Sequence, residues 1–288
     1  MPESNQTSAP SIQALLEEAC TLLTGVSESA RLDAEVLLCH CLDKPRAFLR
    51  AWPERQLDAT QTGQFRHLLE QRRQGRPIAY LTGEREFWSR TFKVTPDVLI
   101  PRPDSELLIE LSLSLPANQT GNIIDLGTGS GILAITLAAE RPSAKVLATD
   151  ISSGALEVAR QNAERLAVGN VRFVQSHWFD SVIDADFDLV VSNPPYIAAD
   201  DPHLQQGDLR FEPDTALVSM DMGLKDIRLL AEQARNHMAP GGHLLIEHGY
   251  QQSAQVQTIF KQLNYRRVDT HQDLSGNPRV TSGIWNPA

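Results

Sequence analysis

The N-terminal part of the chain has the hydrophobic spacing of amphipathic helices. After Ser11, apolar residues recur at every third or fourth position, and acidic residues lie on the opposite face. The same spacing predicts a second helix over residues 29–42. A third helix is predicted to begin at Asp58, a residue type that caps helix N-termini, and to end before Gly75 and Pro77. These helices predict a small helical bundle, which we assign to an N-terminal domain over residues 1–83.

The pattern changes after Gly83. Short β-prone runs around Phe87, Trp88, Phe92 and Val94 predict a β-hairpin within residues 84–100. We expect residues 84–103 to form a hairpin linker between the helical bundle and the rest of the chain.

From residue 104 onward, strand-like and helix-like segments alternate, which is typical of a sheet with crossover helices. The predicted strands are residues 122–126, 145–149, 171–175, 188–192 and 243–247, and the predicted helices are residues 131–140, 152–166, 225–238 and 253–263. The last two runs, residues 266–270 and 279–285, have no helix between them, so they should pair as an antiparallel hairpin at the sheet edge. Residues 104–288 are therefore predicted to form an α/β domain with a Rossmann-like, mostly parallel sheet closed by that hairpin.

Composition limits the class of protein. The 288 residues are 41% hydrophobic and 22% charged, as in ordinary folded proteins, and no window is apolar for long enough to span a membrane. The N-terminus lacks the basic and apolar regions of a signal peptide, so we expect a cytoplasmic protein with no membrane partner. The net charge is −10, whereas a protein that binds nucleic-acid phosphates is expected to carry an excess of basic residues. No direct nucleic-acid partner is expected.

The three cysteines form an odd set within helix-like segments, which favours reduced, core-filling residues. Cys39, His40 and Cys41 are adjacent, so on a helix they point in different directions, and no second ligand pair follows at zinc-like spacing. We expect no metal site.

A glycine-rich loop is predicted at the first strand-to-helix turn of the α/β domain, where ligands bind in open α/β sheets. It reads Gly127-Thr128-Gly129-Ser130-Gly131. Gly127 and Gly129 can adopt backbone angles that other residues avoid, and Gly131 permits close packing of the following helix. A nicotinamide dinucleotide fingerprint would need its third glycine at position 132, which is Ile. The Gly-x-Gly-x-Gly form instead resembles the S-adenosylmethionine site of class I methyltransferases.

Two further strand ends carry candidate ligand contacts. Asp150 follows the second predicted strand, and its carboxylate can accept hydrogen bonds from both hydroxyls of a ribose. Taken alone, Asp150 would serve as a cap for the helix after Ser152. Trp178 follows the third strand and can either pack against an adenine or anchor its loop on the core.

The fourth predicted strand ends in a stiff polar segment, residues 193–196, which we call the tip. It reads Asn193-Pro194-Pro195-Tyr196. Proline fixes φ and removes an N–H, so the carbonyls of Asn193 and Pro194 are not expected to hydrogen-bond to a neighbouring strand. Together with the Asn193 side-chain oxygen, they can receive the NH₂ group of a flat, conjugated substrate beside the Tyr196 ring. Both a carboxamide and an exocyclic base amine fit this description.

The order of Gly-rich loop, acid, aromatic residue and tip across successive strand ends resembles the release factor glutamine methyltransferases. The resemblance extends to the run from Arg76 to Gly83 and to the run from Val98 to Pro103, which are similar to the linker of that family. One departure follows Pro103: the family usually has Glu-Thr-Glu, whereas this chain has Asp104-Ser105-Glu106.

The resemblance implies an S-adenosylmethionine-dependent enzyme that methylates the glutamine of the Gly-Gly-Gln motif in peptide chain release factors. It implies that the methionine part of the donor lies along the Gly-rich loop, the ribose at Asp150 and the adenine at Trp178, with Asn193 close to both donor and substrate. Asn193, Pro194 and Tyr196 would be catalytic, Pro195 would help to bind the glutamine amide, and the helical domain would recognise the substrate.

Other readings remain open at this point. A ribosomal-protein glutamine methyltransferase shares the catalytic motifs, and an adenine-N6 methyltransferase acting on DNA or RNA would use the same two-acceptor tip. A third reading is a non-enzymatic protein that keeps the fold. Residues 66–102 carry eight Lys or Arg and four Asp or Glu. This basic strip is either a substrate-facing surface or simply a solvated one.

Overall fold

The computed structural model describes residues 9–116, 121–183 and 185–287. The chain divides into two compact units, Met1–Gly83 and Glu84–Ala288.

The first unit is helical, as predicted. Its helices are α1 (Ile12–Leu23), α2 (Ala30–Leu42), α3 (Arg46–Ala51), α4 (Ala59–Arg73) and α5 (Ile78–Thr82). The α4 helix begins with a capping box, in which Asp58 accepts from the Gln61 N–H while the Gln61 side chain accepts from the Asp58 N–H. The apolar faces of α1, α2 and α4 share one core with Leu49 and Leu57.

Two helices of this unit were missed by the sequence prediction. Both are short, and both begin directly after a proline, Pro45 for α3 and Pro77 for α5. Pro77 was taken only as the end of the preceding helix. A proline restricts the residue before it but is compatible with a helix N-terminus, and here it ends one helix and begins the next.

The second unit begins with the predicted hairpin, which is shorter than expected. Strands β1 (Glu84–Phe87) and β2 (Arg90–Lys93) pair antiparallel, and the turn residues Trp88 and Ser89 both have positive φ, as in a two-residue hairpin turn. The hairpin is attached to the following domain because the Lys93 N–H donates to Asn162 Oδ1 at 2.7 Å and the Asn162 amide donates back to the Lys93 carbonyl at 3.0 Å.

The rest of the second unit is an α/β sheet domain. After a 3₁₀ turn at Pro103–Ser105, its helices are α6 (Glu106–Ser114), α7 (Ile132–Glu140), α8 (Ser153–Arg165), α9 (Asp214–Leu217), α10 (Met220–Gly223), α11 (Lys225–Ala234) and α12 (Ser253–Gln262). Its strands are β3 (Asn122–Leu126), β4 (Lys145–Asp150), β5 (Val171–Gln175), β6 (Phe187–Ser192), β7 (Met238–Glu247), β8 (Arg266–Gln272) and β9 (Pro278–Ile284).

The strands form one seven-stranded sheet in the order β5-β4-β3-β6-β7-β9-β8. The first five are parallel, and β9 pairs antiparallel with both β7 and β8, which confirms the closing antiparallel pair. The chain moves outward from β3 through β4 to β5 and then returns to the other side of β3 with β6. The strand order therefore reverses between β3 and β6, which is where open α/β sheets bind ligands.

Alternate residues of the strands face two cores. Ile124, Leu126 and Val190 belong to the core under α11 and α12, whereas Ile123 and Val191 belong to the core under α6, α7 and α8. This period-two alternation covers both faces of the sheet and explains why the strands read as nearly continuous apolar runs.

The boundary between the last crossover helix and β7 differs from the prediction. The helix was expected to run to residue 238, but α11 ends at Ala234, and Met238 already pairs with Phe187 of β6. The pairing then shifts register before His243, across a segment that contains two glycines. A turn-like sequence here forms a bulge within one long strand.

No helix in the described part of the chain is long and apolar enough to cross a membrane. Cys20, Cys39 and Cys41 are free thiols, and burial raises the pKa of the Cys41 thiol to about 11. Within residues 9–116, 121–183 and 185–287, no three His, Cys, Asp or Glu side chains are grouped as a metal site.

Candidate active site

A cleft with a volume of about 270 Å³ opens at the carboxyl ends of β3, β4 and β6. Among the residues singled out from the sequence, its wall contains Gly127, Thr128, Gly129, Ser130, Asp150, Trp178, Asn193 and Pro195. Within the described part of the chain, three of the predicted site residues do not line the cleft: Gly131, Pro194 and Tyr196. The sheet therefore brings the Gly-rich loop and the tip to one cavity, although they are more than 60 residues apart in sequence.

The Gly-rich loop turns its N–H groups back into the protein. The Gly127 and Thr128 N–H groups donate to the Thr149 carbonyl at 2.9 and 2.8 Å, and the Gly129 N–H donates to Asp150 Oδ2 at 2.9 Å. Because these donors are already used, this loop does not form the cradle of free N–H groups that holds a phosphate.

A glycine is needed at position 127 both because φ is positive there and because the Trp178 ring packs closely against it. The φ of Gly127 is +72°, and a Cβ there would lie 3.1 Å from the Trp178 ring. At Gly129 φ is +56°, but a Cβ would meet no atom within 4 Å. A Cβ on Gly131 would lie 2.6 Å from the Ile135 side chain and 3.1 Å from Ala159, so this glycine lets α7 and α8 approach each other.

A fully buried carboxyl group, Asp125, supports the loop from below. Asp125 Oδ2 accepts the Thr128 hydroxyl at 2.6 Å and the Ala134 N–H at 3.1 Å. Burial raises its pKa to about 7, against the opposing effect of these two hydrogen bonds. Asp125 was not among the site residues predicted from the sequence.

Asp150 lies at the end of β4, where the sequence placed it, and its two oxygens hold the neighbouring backbone. Oδ2 accepts from Gly129 N–H and Oδ1 from Ser152 N–H, both at 2.9 Å. Each carboxylate oxygen can still accept a second hydrogen bond. Burial raises the pKa of Asp150, partly offset by these backbone donors. The cap of α8 is Ser152, whose hydroxyl accepts the Ala155 N–H at 3.1 Å, so Asp150 holds the backbone before the helix and does not cap it. The contact of Asp150 with a ribose stays a prediction.

Trp178 belongs to both the cleft wall and the core. Its side chain is almost fully buried, packs under Gly127 and joins the core beneath α11. Its φ of +51° is uncommon for a bulky residue. The expectation that Trp178 anchors its loop on the core is confirmed, and its contact with an adenine stays a prediction.

The tip presents a half-buried Asn193 whose amide orientation is fixed. Asn193 Nδ2 donates to the Ser105 hydroxyl at 3.0 Å, and Asn193 also lines the cleft. Tyr196 is half-buried, and its hydroxyl donates to Glu247 Oε1 at 3.4 Å. Burial, and secondly the nearby Glu247 charge, raise the pKa of Tyr196. Its hydroxyl is directed away from the bulk solvent and into a polar network.

Sequence reasoning missed two members of that network, Ser105 and Glu247. Both are fully buried, and the Ser105 hydroxyl donates to Glu247 Oε2 at 2.6 Å. Burial raises the pKa of Glu247 to about 7. The one signal in the sequence was the Asp104-Ser105-Glu106 departure from the family motif, but nothing local connects Ser105 to a residue 142 positions later.

The charged side chains of the cleft wall are mainly acidic. In the described part of the chain they are Asp97, Asp150 and Asp226, with His177 and a single guanidinium, Arg102. Arg102 pairs with the buried Glu212, which also accepts the Ile100 N–H at 2.9 Å.

This charge balance suits a ligand that carries a positive sulfonium and disfavours a pyrophosphate. The buried indole nitrogen of Trp178, a residue of the cleft wall, has no hydrogen-bond partner within the described residues. Unsatisfied groups next to a cleft are ones that a ligand or water can satisfy. The residues present therefore fit S-adenosylmethionine.

Two family models match the chain. The model described as PrmC N-terminal domain matches residues 14–83, and the model described as Methyltransferase small domain matches residues 103–207. The release factor glutamine methyltransferase of Aliivibrio fischeri is 46% identical over 277 residues, which cover 96% of this chain and 98% of the relative. The protein of the same name from Vibrio cholerae is 49% identical over 258 residues, with 89% and 90% covered.

Solved structures are similar in fold. A methyltransferase from Pyrococcus furiosus has a TM-score of 0.52 at 22% identity and covers 68% of this chain and 89% of its own. A 16S rRNA methyltransferase from T. thermophilus, solved in complex with AdoMet and guanosine, has a TM-score of 0.50 at 19% identity, with 70% and 49% covered. At this level of identity the likeness shows the fold alone.

The fold and the site define a class I methyltransferase, an enzyme whose methyl donor is S-adenosylmethionine. The extent and identity of the curated relatives then show the family. The chain belongs to the release factor glutamine methyltransferase family. The predicted fold class, donor and family resemblance are confirmed, and the roles assigned to individual site residues stay predictions.

Proposed function

We propose that this protein transfers the methyl group of S-adenosylmethionine to the side-chain amide nitrogen of the glutamine in the Gly-Gly-Gln motif of a peptide chain release factor. The observation that carries the proposal is the shared cleft: Asn193 of the tip lines the same cavity as Gly127 and Asp150. Methyl donor and amide acceptor can therefore meet without a change of fold. The family membership supplies the class of protein substrate.

The tip suits an amide. Because Asn193 Nδ2 is used by Ser105, the side chain has its Oδ1 left to accept an N–H from the substrate. We assign the second acceptor to the carbonyl of Pro194, which follows Asn193 directly, although Pro194 itself is not part of the cleft wall. Tyr196 follows two residues later. An amide nitrogen is a poor nucleophile because its lone pair is delocalised. Two fixed acceptors orient that nitrogen and favour the positive charge that develops on it during attack.

The chemistry needs positioning more than acid–base catalysis. S-adenosylmethionine supplies an activated methyl group, whose bond to sulfur breaks as the bond to nitrogen forms, after which the nitrogen loses a proton to water. Fixing two reactants in a near-attack geometry can lower a barrier by about 7–11 kcal/mol. A rigid tip formed by two prolines at the end of a buried strand is well suited to that task.

We assign the donor contacts to the other end of the cleft. Residues 127–131 would lie along the methionine part, with Thr128 and Ser130 among them, and Asp150 would accept from the ribose hydroxyls. Trp178 would contact the adenine with the face that lines the cleft.

Recognition of the protein substrate is assigned to residues 1–83, with residues 84–103 as the hairpin linker and residues 104–288 as the catalytic domain. The basic strip is a weaker candidate surface because many of its charges are already paired. Its ion-paired members include Arg66, Arg72, Arg73, Arg90 and Arg102. The acidic balance of the chain supports a protein substrate with no direct nucleic-acid contact, and a cytoplasmic location accompanies a role in translation.

The experiment that tests this function is incubation of the protein with methyl-labelled S-adenosylmethionine and four separate acceptors. These are a release factor, the same release factor with its Gly-Gly-Gln glutamine replaced by alanine, ribosomal proteins, and DNA. We expect label in the intact release factor and none in its alanine variant. Label confined to ribosomal protein or to DNA would overturn the proposal.

A further inference from the structure

We propose that Ser105 and Glu247 are positioning residues for methyl transfer, which hold the Asn193 amide in the orientation that presents its oxygen to the substrate. This inference rests on the proposed function and adds to it a part of the molecule that lies outside the tip and the Gly-rich loop. It is carried by hydrogen-bond direction along three side chains.

The direction of these hydrogen bonds follows from the number of protons available. A hydroxyl has one proton, and Ser105 donates it to Glu247 Oε2 at 2.6 Å. The Ser105 oxygen can then only accept, so its neighbour Asn193 must turn Nδ2 toward it, as the 3.0 Å contact shows. An ionised Glu247 therefore determines which atom of Asn193 is left for the cleft.

The surroundings hold this network in place from three elements. The 3₁₀ turn at Pro103–Ser105 carries Ser105, and the preceding Asp104 pairs with Arg279 of β9 at 3.0 Å. The Tyr196 hydroxyl approaches the other Glu247 oxygen at 3.4 Å. Ser105 and Glu247 are both fully buried, so water does not compete for these bonds.

This arrangement gives the Asp104-Ser105-Glu106 motif a function residue by residue. Asp104 fixes the turn to β9, Ser105 joins β7 to the tip, and Glu106 accepts the Trp88 N–H at 2.9 Å. Threonine, which the family usually has at the central position, keeps the same hydroxyl.

Protonation of Glu247 would reverse the direction of the hydrogen bonds through Ser105 to Asn193. A neutral carboxyl can donate to the Ser105 oxygen, which frees the Ser105 proton for Asn193 and favours Oδ1 facing Ser105. The cleft would then receive an NH₂ group, which cannot accept from the substrate. The charged and titratable groups that face Glu247 are Asp104, Arg279 and Tyr196, and His248 follows it directly after the end of β7.

The first test compares wild type, Ser105→Ala and Ser105→Thr in methylation of a release factor. We expect Ser105→Ala to lower kcat by about 10-fold to 100-fold, because a small displacement of a reacting group can cost that much. Ser105→Thr should retain most of the turnover. The Kd for S-adenosylmethionine, measured by calorimetry without turnover, should change by less than about twofold in both variants.

The second test asks whether Ser105 acts through Asn193. In an Asn193→Ala background, adding Ser105→Ala should reduce the single-turnover rate no further, because the residue that Ser105 positions is already gone. The same proportional loss in both backgrounds would contradict the inference, since it would mean that Ser105 has a separate structural role.

The third test uses pH. Wild-type kcat should fall as the pH drops through the titration of Glu247, and Glu247→Gln should give a lower rate without that acidic limb. An acidic limb that persists in Glu247→Gln would assign it to another group, such as His248, and would overturn this part of the inference.

These outcomes are separate from the fate of the proposed function. If wild type leaves the release factor unlabelled, the proposed function fails. If wild type methylates it and Ser105→Ala turns over as fast as Ser105→Thr, the proposed function stands and the positioning role fails.

Discussion

Two buried carboxyl groups support the two ends of the cleft in different ways. We define the donor end as residues 125–131 with Asp150, and Asp125 is its buried carboxyl group. We define the amide end as residues 193–196 with Ser105 and Glu247, and Glu247 is its buried carboxyl group. Each is fully buried, each accepts a hydroxyl at 2.6 Å, and burial raises the pKa of each to about 7.

The difference is in the span of chain that each carboxyl connects. The partners of Asp125 are three and nine residues away, within one strand–loop–helix unit. Those of Glu247 are 142 and 51 residues away, on a turn before the first core strand and on the tip. The donor end is thus a local motif, whereas the amide end depends on the assembled sheet. We expect the two ends to be separable by substitution.

The largest expected effect is at the amide end. Asn193→Ala removes the oxygen that we propose as the acceptor for the developing charge, so kcat should fall by about 100-fold to 1,000-fold. Calorimetry should show the Kd for S-adenosylmethionine changed by much less. Loss of donor binding of the same size would mean that the two ends are not separable.

The matching change at the donor end is Asp150→Ala. Hydrogen bonds to a charged group contribute about 1.5–3 kcal/mol each, so we expect the Kd for S-adenosylmethionine to weaken by about 10-fold to 100-fold, with a smaller effect on kcat at saturating donor. Asp150→Asn keeps one carbonyl oxygen and should lie between wild type and alanine. Unchanged donor affinity in Asp150→Ala would remove Asp150 from the binding site.

A smaller effect should distinguish two glycines of the same loop. Gly129→Ala adds only the strain of a positive φ, about 1–2 kcal/mol, because its Cβ meets no neighbour. Gly127→Ala adds the same strain and a 3.1 Å contact with the Trp178 ring, so its free energy of unfolding should fall further. Urea unfolding of both variants measures the difference. Equal losses of unfolding free energy in the two variants would show that the Trp178 ring can move away from the new Cβ without destabilising the protein.

The last expected effect is the pH dependence of stability, which is spread over several pH units and is small at any one pH. Asp125 and Glu247 have folded pKa values near 7, above those of the unfolded chain, so the folded state binds more protons and stability is lost as the pH rises toward and through 7. Each group can contribute at most about 1.4 kcal/mol per pH unit. Thermal unfolding from pH 5 to 8 should show a flatter profile for Asp125→Asn and for Glu247→Gln than for wild type. A change in only one variant would show that the two carboxyls differ in protonation.

The sequence predicted most of what depends on neighbours in the chain. Short strand-like runs that alternate with helix-like segments predicted the five parallel strands, and the absence of a helix before the last strand predicted its antiparallel pairing. The strand ends then located Gly127, Asp150, Trp178 and Asn193 at one edge of the sheet.

What the sequence did not predict depends on contacts between distant segments. Met238 reads as the end of a helix until its pairing with Phe187 is known. Glu247 reads as the last residue of a strand, where a polar residue is ordinary, until Ser105 and Tyr196 are placed against it. Hydrogen-bond partners 142 residues apart leave no local pattern in a single sequence.

The most direct test of the account is fragmentation mass spectrometry of a release factor after incubation with the enzyme and S-adenosylmethionine. We predict one added methyl group on the side-chain amide of the Gly-Gly-Gln glutamine, formed at a rate that falls with Asn193→Ala. A methyl group on a lysine, an arginine or the chain terminus, with that glutamine unmodified, would contradict it.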